Sequence, residues 1–188
     1  MISLLFSAAV AFLTVILLTP VAISRLRKLE IGQFIQEEVS GHQHKRGTPT
    51  MGGVVIIGAI TLGYVVAHCR FWTADEGFGL RFISFSPQGW LAIGALLGMG
   101  LIGFFDDFAK FVRARNLGLS KRWKFIGQLV VAVSFAAGVV AIDVSTEVSF
   151  TRGFGWDLGP WLYGVWVLLM LTAASNAVNL TDGLDGLV

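Results

Sequence analysis

Asn176-Ala-Val-Asn179-Leu-Thr-Asp182-Gly-Leu-Asp185-Gly places two amides, two carboxylates, a threonine and two glycines directly behind Trp161–Ser175, a run without charge. Hydrocarbon offers such groups no partners, so they must face a water-filled cavity or one another. Carboxylates and amide carbonyls bind hard cations such as Mg²⁺, and closely spaced glycines let backbone approach phosphate. The segment reads as a catalytic loop at a membrane face.

A second cluster is Gly103-Phe-Phe-Asp106-Asp107-Phe-Ala-Lys110. Adjacent carboxylates at a membrane boundary repel, so at least one requires a cation or a shifted proton affinity. Neighbours on a helix point about 100° apart, so the two aspartates should divide their tasks, one facing a metal and the other Lys110 or a proton donor. A solvated helix end with either aspartate paired to Lys110 is the plainer alternative. The third cluster is His42-Gln-His44-Lys45-Arg46-Gly47-Thr48-Pro49-Thr50-Met51-Gly52-Gly53. Two cations ahead of a Gly/Thr/Pro helix start suit an anion, although the same residues also suit a basic flank with a proline at a helix start. His42 and His44 lack further ligands and read as loop residues.

The elements that must position these clusters are written in the composition. Apolar residues make up 55% of 188 and charged ones 14%, with a mean hydropathy of +0.74; a soluble domain carries about 25% charged residues. Five runs lack any Asp, Glu, Lys or Arg: Met1–Ser24, Gly47–Cys69, Phe82–Phe105, Phe125–Ile142 and Leu158–Thr181. Each approaches or exceeds the roughly 18 apolar residues that mark a bilayer-spanning helix. The first run has no basic residue ahead of it and is expected to be a retained helix instead of a cleaved leader. The fold expected is all-α, a polytopic membrane helix bundle of about five transmembrane helices, with residues 1–188 forming one membrane domain.

Charge placement orients the bundle. Eleven of the fourteen basic residues fall between runs one and two (Arg25, Arg27, Lys28, Lys45, Arg46) or between runs three and four (Lys110, Arg113, Arg115, Lys121, Arg122, Lys124). Only Arg70, Arg81 and Arg152 occupy the other connections. The positive-inside rule then sets the amino terminus outside and all three clusters at the cytoplasmic face, with Trp72, Trp156 and Trp161 in an interface belt on the outer side. The net charge of +2 is too small to suggest nucleic acid, and the single Cys69 excludes an intrachain disulfide.

Cations, a carboxylate pair and an Asn/Asp/Gly loop on one face are the ingredients for transferring a phosphoryl-linked group, and the membrane points to a lipid substrate. Lys45-Arg-Gly-Thr-Pro-Thr-Met-Gly-Gly53, Gly103-Phe-Phe-Asp-Asp-Phe-Ala-Lys110 and Asn176-Ala-Val-Asn-Leu-Thr-Asp-Gly-Leu-Asp-Gly-Leu187 resemble the signatures of the phospho-N-acetylmuramoyl-pentapeptide-transferase branch of the polyprenyl-phosphate N-acetylhexosamine-1-phosphate transferases, in glycosyltransferase family 4. The resemblance implies a Mg²⁺-dependent reaction of UDP-N-acetylmuramoyl-pentapeptide with undecaprenyl phosphate in the bacterial inner (plasma) membrane, giving lipid I and UMP for peptidoglycan synthesis. It implies Asp106 as the base that deprotonates the lipid phosphate, with Asp107 supporting it or the metal. Lys45, Thr48, Thr50, Asn176, Asn179 and Asp182 would bind substrate, and Asp107, Asn179 and Asp182 would hold Mg²⁺. Lys121 and Lys124 either steer anionic substrates or set topology. A complete member has about ten transmembrane helices, so the chain is expected to be the amino-terminal half and inactive by itself. A homodimer is left open as its assembly. Two alternatives stand beside this reading: the sister transferase for N-acetylglucosamine-1-phosphate, and a cation or proton transporter subunit using the same carboxylates.

Overall fold

The computed structural model describes residues 2–29, 50–73, 77–113, 118–149 and 153–181. Among these residues five helices and two hairpins follow one another in the order α1 (Ile2–Lys28), α2 (Gly53–Ala67), β1 (Cys69–Thr73), β2 (Gly77–Phe82), α3 (Pro87–Arg113), α4 (Lys121–Ala141), β3 (Glu147–Ser149), β4 (Gly153–Asp157) and α5 (Gly159–Thr181). Within them Ser3–Lys28, Pro87–Arg113, Lys121–Ala141 and Gly159–Val178 are apolar stretches of 20 to 27 residues, each long enough to cross a membrane. At about 1.5 Å per residue they match or exceed the roughly 30 Å of bilayer hydrocarbon. α2 has 15 residues and is shorter than that thickness. Its charge-free run was longer, but Met51 adopts a left-handed φ of 69° at one end and β1 begins at Cys69 at the other.

The surface is that of a protein whose solvent is lipid. Leu4, Leu17 and Trp161 are 73%, 67% and 89% exposed, while the buried apolar side chains among the described residues are Ala59, Ile93, Ala132, Val139 and Val167. Water would not tolerate apolar exposure on that scale; hydrocarbon does so at no cost. Trp156 and Trp161, expected in an interface belt, are both outward-facing where β4 leads into α5.

The chain divides into two compact units, one of residues 1–85 with 103–119 and the other of residues 86–102 with 120–188. In the first, α1 and α2 meet at Gly63, where an added Cβ would lie 3.0 Å from the Ser7 carbonyl oxygen and 3.1 Å from the Ala11 Cβ. The Ser7 hydroxyl donates to the Gly63 carbonyl at 2.7 Å, satisfying a polar group that lipid could not. In the second unit, the first part of α3 runs antiparallel to α4, with Gly98 against Val131, Gly127 against Ile102 and Gly138 against Leu91. Gly94, Gly98 and Gly103 all suit close helix contact by type, yet among the described residues only at Gly98 would an added Cβ meet a neighbour within 4 Å. α5 in turn packs antiparallel on α4, with Gly164 opposite Ala136 and Asn176 opposite Gln128.

Two antiparallel hairpins add to the all-α expectation. β1 and β2 pair Cys69 with Phe82 and Thr73 with Gly77, and β3 and β4 pair Glu147 with Asp157 and Ser149 with Gly153. The second hairpin delivers the chain into α5. The Thr146 hydroxyl and the Gly159 N–H both donate to the Asp157 carboxylate, and these two bonds hold its carboxyl below the usual carboxylate range.

Candidate functional site

α3 continues eight residues past its charge-free run, and this extension carries the carboxylate pair. Ion pairing makes it favourable: Lys110 lies four residues after Asp106 and three after Asp107, one turn on along the same helical face. Its ammonium sits 2.9 Å from Asp106 Oδ2 and 2.8 Å from Asp107 Oδ1. The expected division of the two aspartates between a metal and Lys110 is not what this arrangement shows, because one cation serves both. The ring of Phe104 stacks on that of Phe108, with centroids 5.9 Å apart, making an apolar flank on the same helix.

The two carboxylates differ in their surroundings. Asp106 is buried, and its Oδ1 accepts the Leu119 N–H at 2.9 Å. Both of its oxygens are therefore engaged, one by backbone and one by Lys110. Asp107 is less buried, and among the described residues its Oδ2 has no hydrogen-bond partner. The backbone contact works because residue 118 is glycine. An added Cβ there would meet Asp106 Oδ1 and lie 2.7 Å from its Cγ and 2.8 Å from its carbonyl oxygen. The Arg113 guanidinium donates to the Gly118 carbonyl at 3.3 Å, so α3 holds this turn at two points. Ser120 then caps α4, its hydroxyl accepting the Trp123 N–H at 3.4 Å. Gly118 and Leu119 carried no signal in the sequence, since backbone contacts leave no residue-type signature, and Arg113 counted there only as one of the cations that orient the bundle.

Of the remaining predicted site residues, Asn176 is placed with its partners. It sits on α5, where its Nδ2 donates to the Thr172 carbonyl at 2.8 Å and to Gln128 Oε1 at 3.3 Å. Asn179 lies one turn further along the same helix. Thr50 is half-buried, immediately before Met51 and the start of α2 at Gly53, which has no side-chain cap and where the Val54 and Val55 N–H groups donate to the Met51 and Gly52 carbonyls at 3.2 and 3.1 Å. Lys45, Thr48 and Asp182 lie outside the described residues, as do the histidines at 42 and 44 and the Asn179 side chain. Among the described residues no cluster of three or more His, Cys, Asp or Glu side chains could hold a metal ion, so of the Mg²⁺ ligands expected only Asp107 has a placed side chain.

Comparison with known proteins adds an independent observation. The model of the family described as glycosyl transferase family 4 matches residues 90–188, and one described as phospho-N-acetylmuramoyl-pentapeptide-transferase signature 1 matches residues 45–57. The chain is 44% identical over 188 residues to a phospho-N-acetylmuramoyl-pentapeptide-transferase of Shouchella clausii, covering 99% of the chain and 54% of that protein. It is 45% identical over 204 residues to the protein of that name from Beutenbergia cavernae, covering all of the chain and 53% of the relative. A third relative of the same name, from Oceanobacillus iheyensis, is 44% identical over 193 residues. The chain spans about half the length of the curated relatives it matches.

Proposed function

Because this chain belongs to glycosyl transferase family 4, we propose that it forms part of the membrane enzyme that transfers phospho-N-acetylmuramoyl-pentapeptide from its UDP conjugate to undecaprenyl phosphate, releasing UMP and supplying lipid I to peptidoglycan synthesis. The observation that carries this reading is the Asp106–Asp107–Lys110 cluster, fixed by backbone at the end of an apolar, membrane-length helix.

In this reaction an oxygen of the lipid phosphate attacks the phosphorus that bears the sugar. The bond from that phosphorus to the bridging oxygen breaks, and UMP leaves with the electron pair. The protein's work in such a transfer is positioning and charge neutralisation. Asp106 is the base: Leu119 holds Oδ1 and so orients the carboxylate, leaving Oδ2 as the exchangeable end that takes the proton from the lipid phosphate. Lys110 now sits on Oδ2, and an incoming phosphate competes for that ammonium and frees the oxygen. Lys45, Thr48 and Thr50, with Asn176, Asn179 and Asp182, bind the nucleotide-diphosphate portion.

The donor chemistry suits Mg²⁺. Carboxylate and amide oxygens are hard ligands, and the pair of aspartates already draws a cation in the form of Lys110. Asp107, Asn179 and Asp182 would hold the ion, which would offset the charge of the substrate diphosphate.

The same reading sets the active face in the cytoplasm of a bacterium, with the amino terminus outside. Single cysteines at Gln43 and Asn116, in a background lacking Cys69, should react with membrane-impermeant thiol reagents only after cells are opened. A cysteine at Gly77 should react in intact cells whose outer barrier has been breached. Labelling at Gln43 from outside would overturn the orientation of every motif. The activity itself is tested by UMP release from the two competing UDP-sugars, in membranes bearing this sequence alone and joined to the carboxyl-terminal half of a relative.

A further inference from the structure

The most completely buried large side chain among the described residues is an amide inside a membrane-length helix. Gln128, 1% exposed, lies in α4 and reaches α5 at both ends of its amide. Its Nε2 donates to the Ser175 hydroxyl at 3.3 Å, and its Oε1 accepts from Asn176 Nδ2 at 3.3 Å. Nothing in the reaction described above uses it. An amide in that setting is costly unless each end is matched, so its presence between two apolar helices calls for a reason.

The direction of every bond in this chain of amides follows from one group. The Thr172 backbone carbonyl can only accept, so the Asn176 side chain must turn its NH₂ toward it, at 2.8 Å. The second hydrogen of that NH₂ then faces Gln128, which must answer with Oε1. Gln128 Nε2 is left to donate to Ser175. The consequence appears at the far end: both Asn176 hydrogens are consumed within the protein, and among the described residues its Oδ1 has no partner. Without Gln128, the Asn176 amide would keep one bond to its own helix and a hydrogen free to turn elsewhere.

We infer that Gln128 is a positioning residue that locks the Asn176 amide with its carbonyl oxygen outward, making Asn176 an obligate acceptor for an N–H, an O–H or a hard cation of the substrate complex. The inference rests on the proposal that Asn176 binds the nucleotide-diphosphate portion of the substrate. Ser175 completes the lock by holding the other end of Gln128, so the device spans α4 and α5 at a single level.

Gln128→Met keeps the volume of the side chain and removes both of its bonds. In the full-length enzyme it should raise KM for the UDP-sugar roughly tenfold, the scale of one lost oriented hydrogen bond, with kcat changed much less. A merely structural loss would instead lower the yield of active enzyme and leave KM where it was. Asn176→Ala should raise KM by a similar factor, and the double variant should be no worse than Asn176→Ala alone. Ser175→Ala, which loosens Gln128 without touching Asn176, should give a smaller rise in KM and serves if Gln128→Met fails to accumulate. An unchanged KM in both Gln128→Met and Ser175→Ala, or a full tenfold penalty for Gln128→Met in the Asn176→Ala background, overturns the inference while the site reading stands. An unchanged KM in Asn176→Ala strikes the site reading, and the inference falls with it.

Discussion

Asp106→Asn should lower UMP release by at least ~100-fold, the usual scale for loss of a general base. The substitution is close to isosteric, and the asparagine Oδ1 can still accept the Leu119 N–H that now holds the carboxylate at 2.9 Å. What disappears is the other oxygen, with both its capacity to take a proton and its contact with Lys110, whose ammonium keeps Asp107 as a partner. The thermal unfolding temperature of the detergent-solubilised protein should therefore fall only modestly while turnover collapses, which separates a chemical from a structural role. Asp107→Asn should act differently, through the Mg²⁺ requirement, so that raising Mg²⁺ recovers part of the rate. Near-normal turnover at limiting Mg²⁺ in both variants would reduce the cluster to a solvated helix end.

Lys110→Met has the second-largest effect expected. The ammonium lies within 3 Å of an oxygen on each aspartate, and the Asp106 side chain is only 12% exposed. Without the cation, two adjacent carboxylates are left uncompensated, one of them with little access to water. An unmatched, partly buried charge costs about 1–3 kcal/mol, so the melting temperature should drop along with the rate, which we expect to fall at least tenfold. Lys110→Arg restores the charge but not the compact geometry and should recover part of both. Because the missing charge is a cation next to hard oxygen ligands, added Mg²⁺ should raise the stability of Lys110→Met more than that of the parent protein. A Lys110→Met protein with unchanged melting and rate would mean that the two contacts at 2.8 and 2.9 Å do nothing measurable.

These two variants concern residues whose importance was visible in the linear sequence, and the reason is physical. Charge inside an apolar chain is conspicuous, and pairing at three and four residues is a property of one helix, needing no knowledge of the rest of the fold. The helices themselves were legible for a similar reason, since lipid selects long charge-free runs. Their ends were not. α3 passes through Asp106, Asp107 and Lys110 to Arg113, eight residues beyond the end of its charge-free run at Phe105, because the charges satisfy one another along the helix. The hairpins were missed because counting charges ignores the short β-favouring segments Cys69–Thr73 and Gly77–Phe82, whose arginines interrupt the apolar pattern.

Partners far apart in the chain were least legible. Gln128 is the lone amide in the charge-free run Phe125–Ile142, which signals that it needs a partner but not which one. That Asn176 answers it, 48 residues away, depends on the antiparallel register of α4 and α5. Gly118 is another such case: its lack of a side chain matters only because Asp106 lies where a Cβ would be. The glycines of α3 make the same point, for Gly94, Gly98 and Gly103 look alike in sequence and among the described residues only Gly98 lies where an added Cβ would meet a neighbouring helix.

We propose that this chain serves transfer of a phospho-sugar from a UDP conjugate to a polyprenyl phosphate. It is tested most directly by incubating membranes that carry this sequence at the full length of its relatives with undecaprenyl phosphate, Mg²⁺ and one of two donors, and measuring released UMP. UDP-N-acetylmuramoyl-pentapeptide should give UMP and a lipid-linked pyrophosphoryl product in equal amounts, and Asp106→Asn should abolish both. Release of UMP from UDP-N-acetylglucosamine instead would assign the chain to the sister transferase. No UMP from either donor, with Asp106-dependent cation flux through the same membranes, would contradict the account altogether.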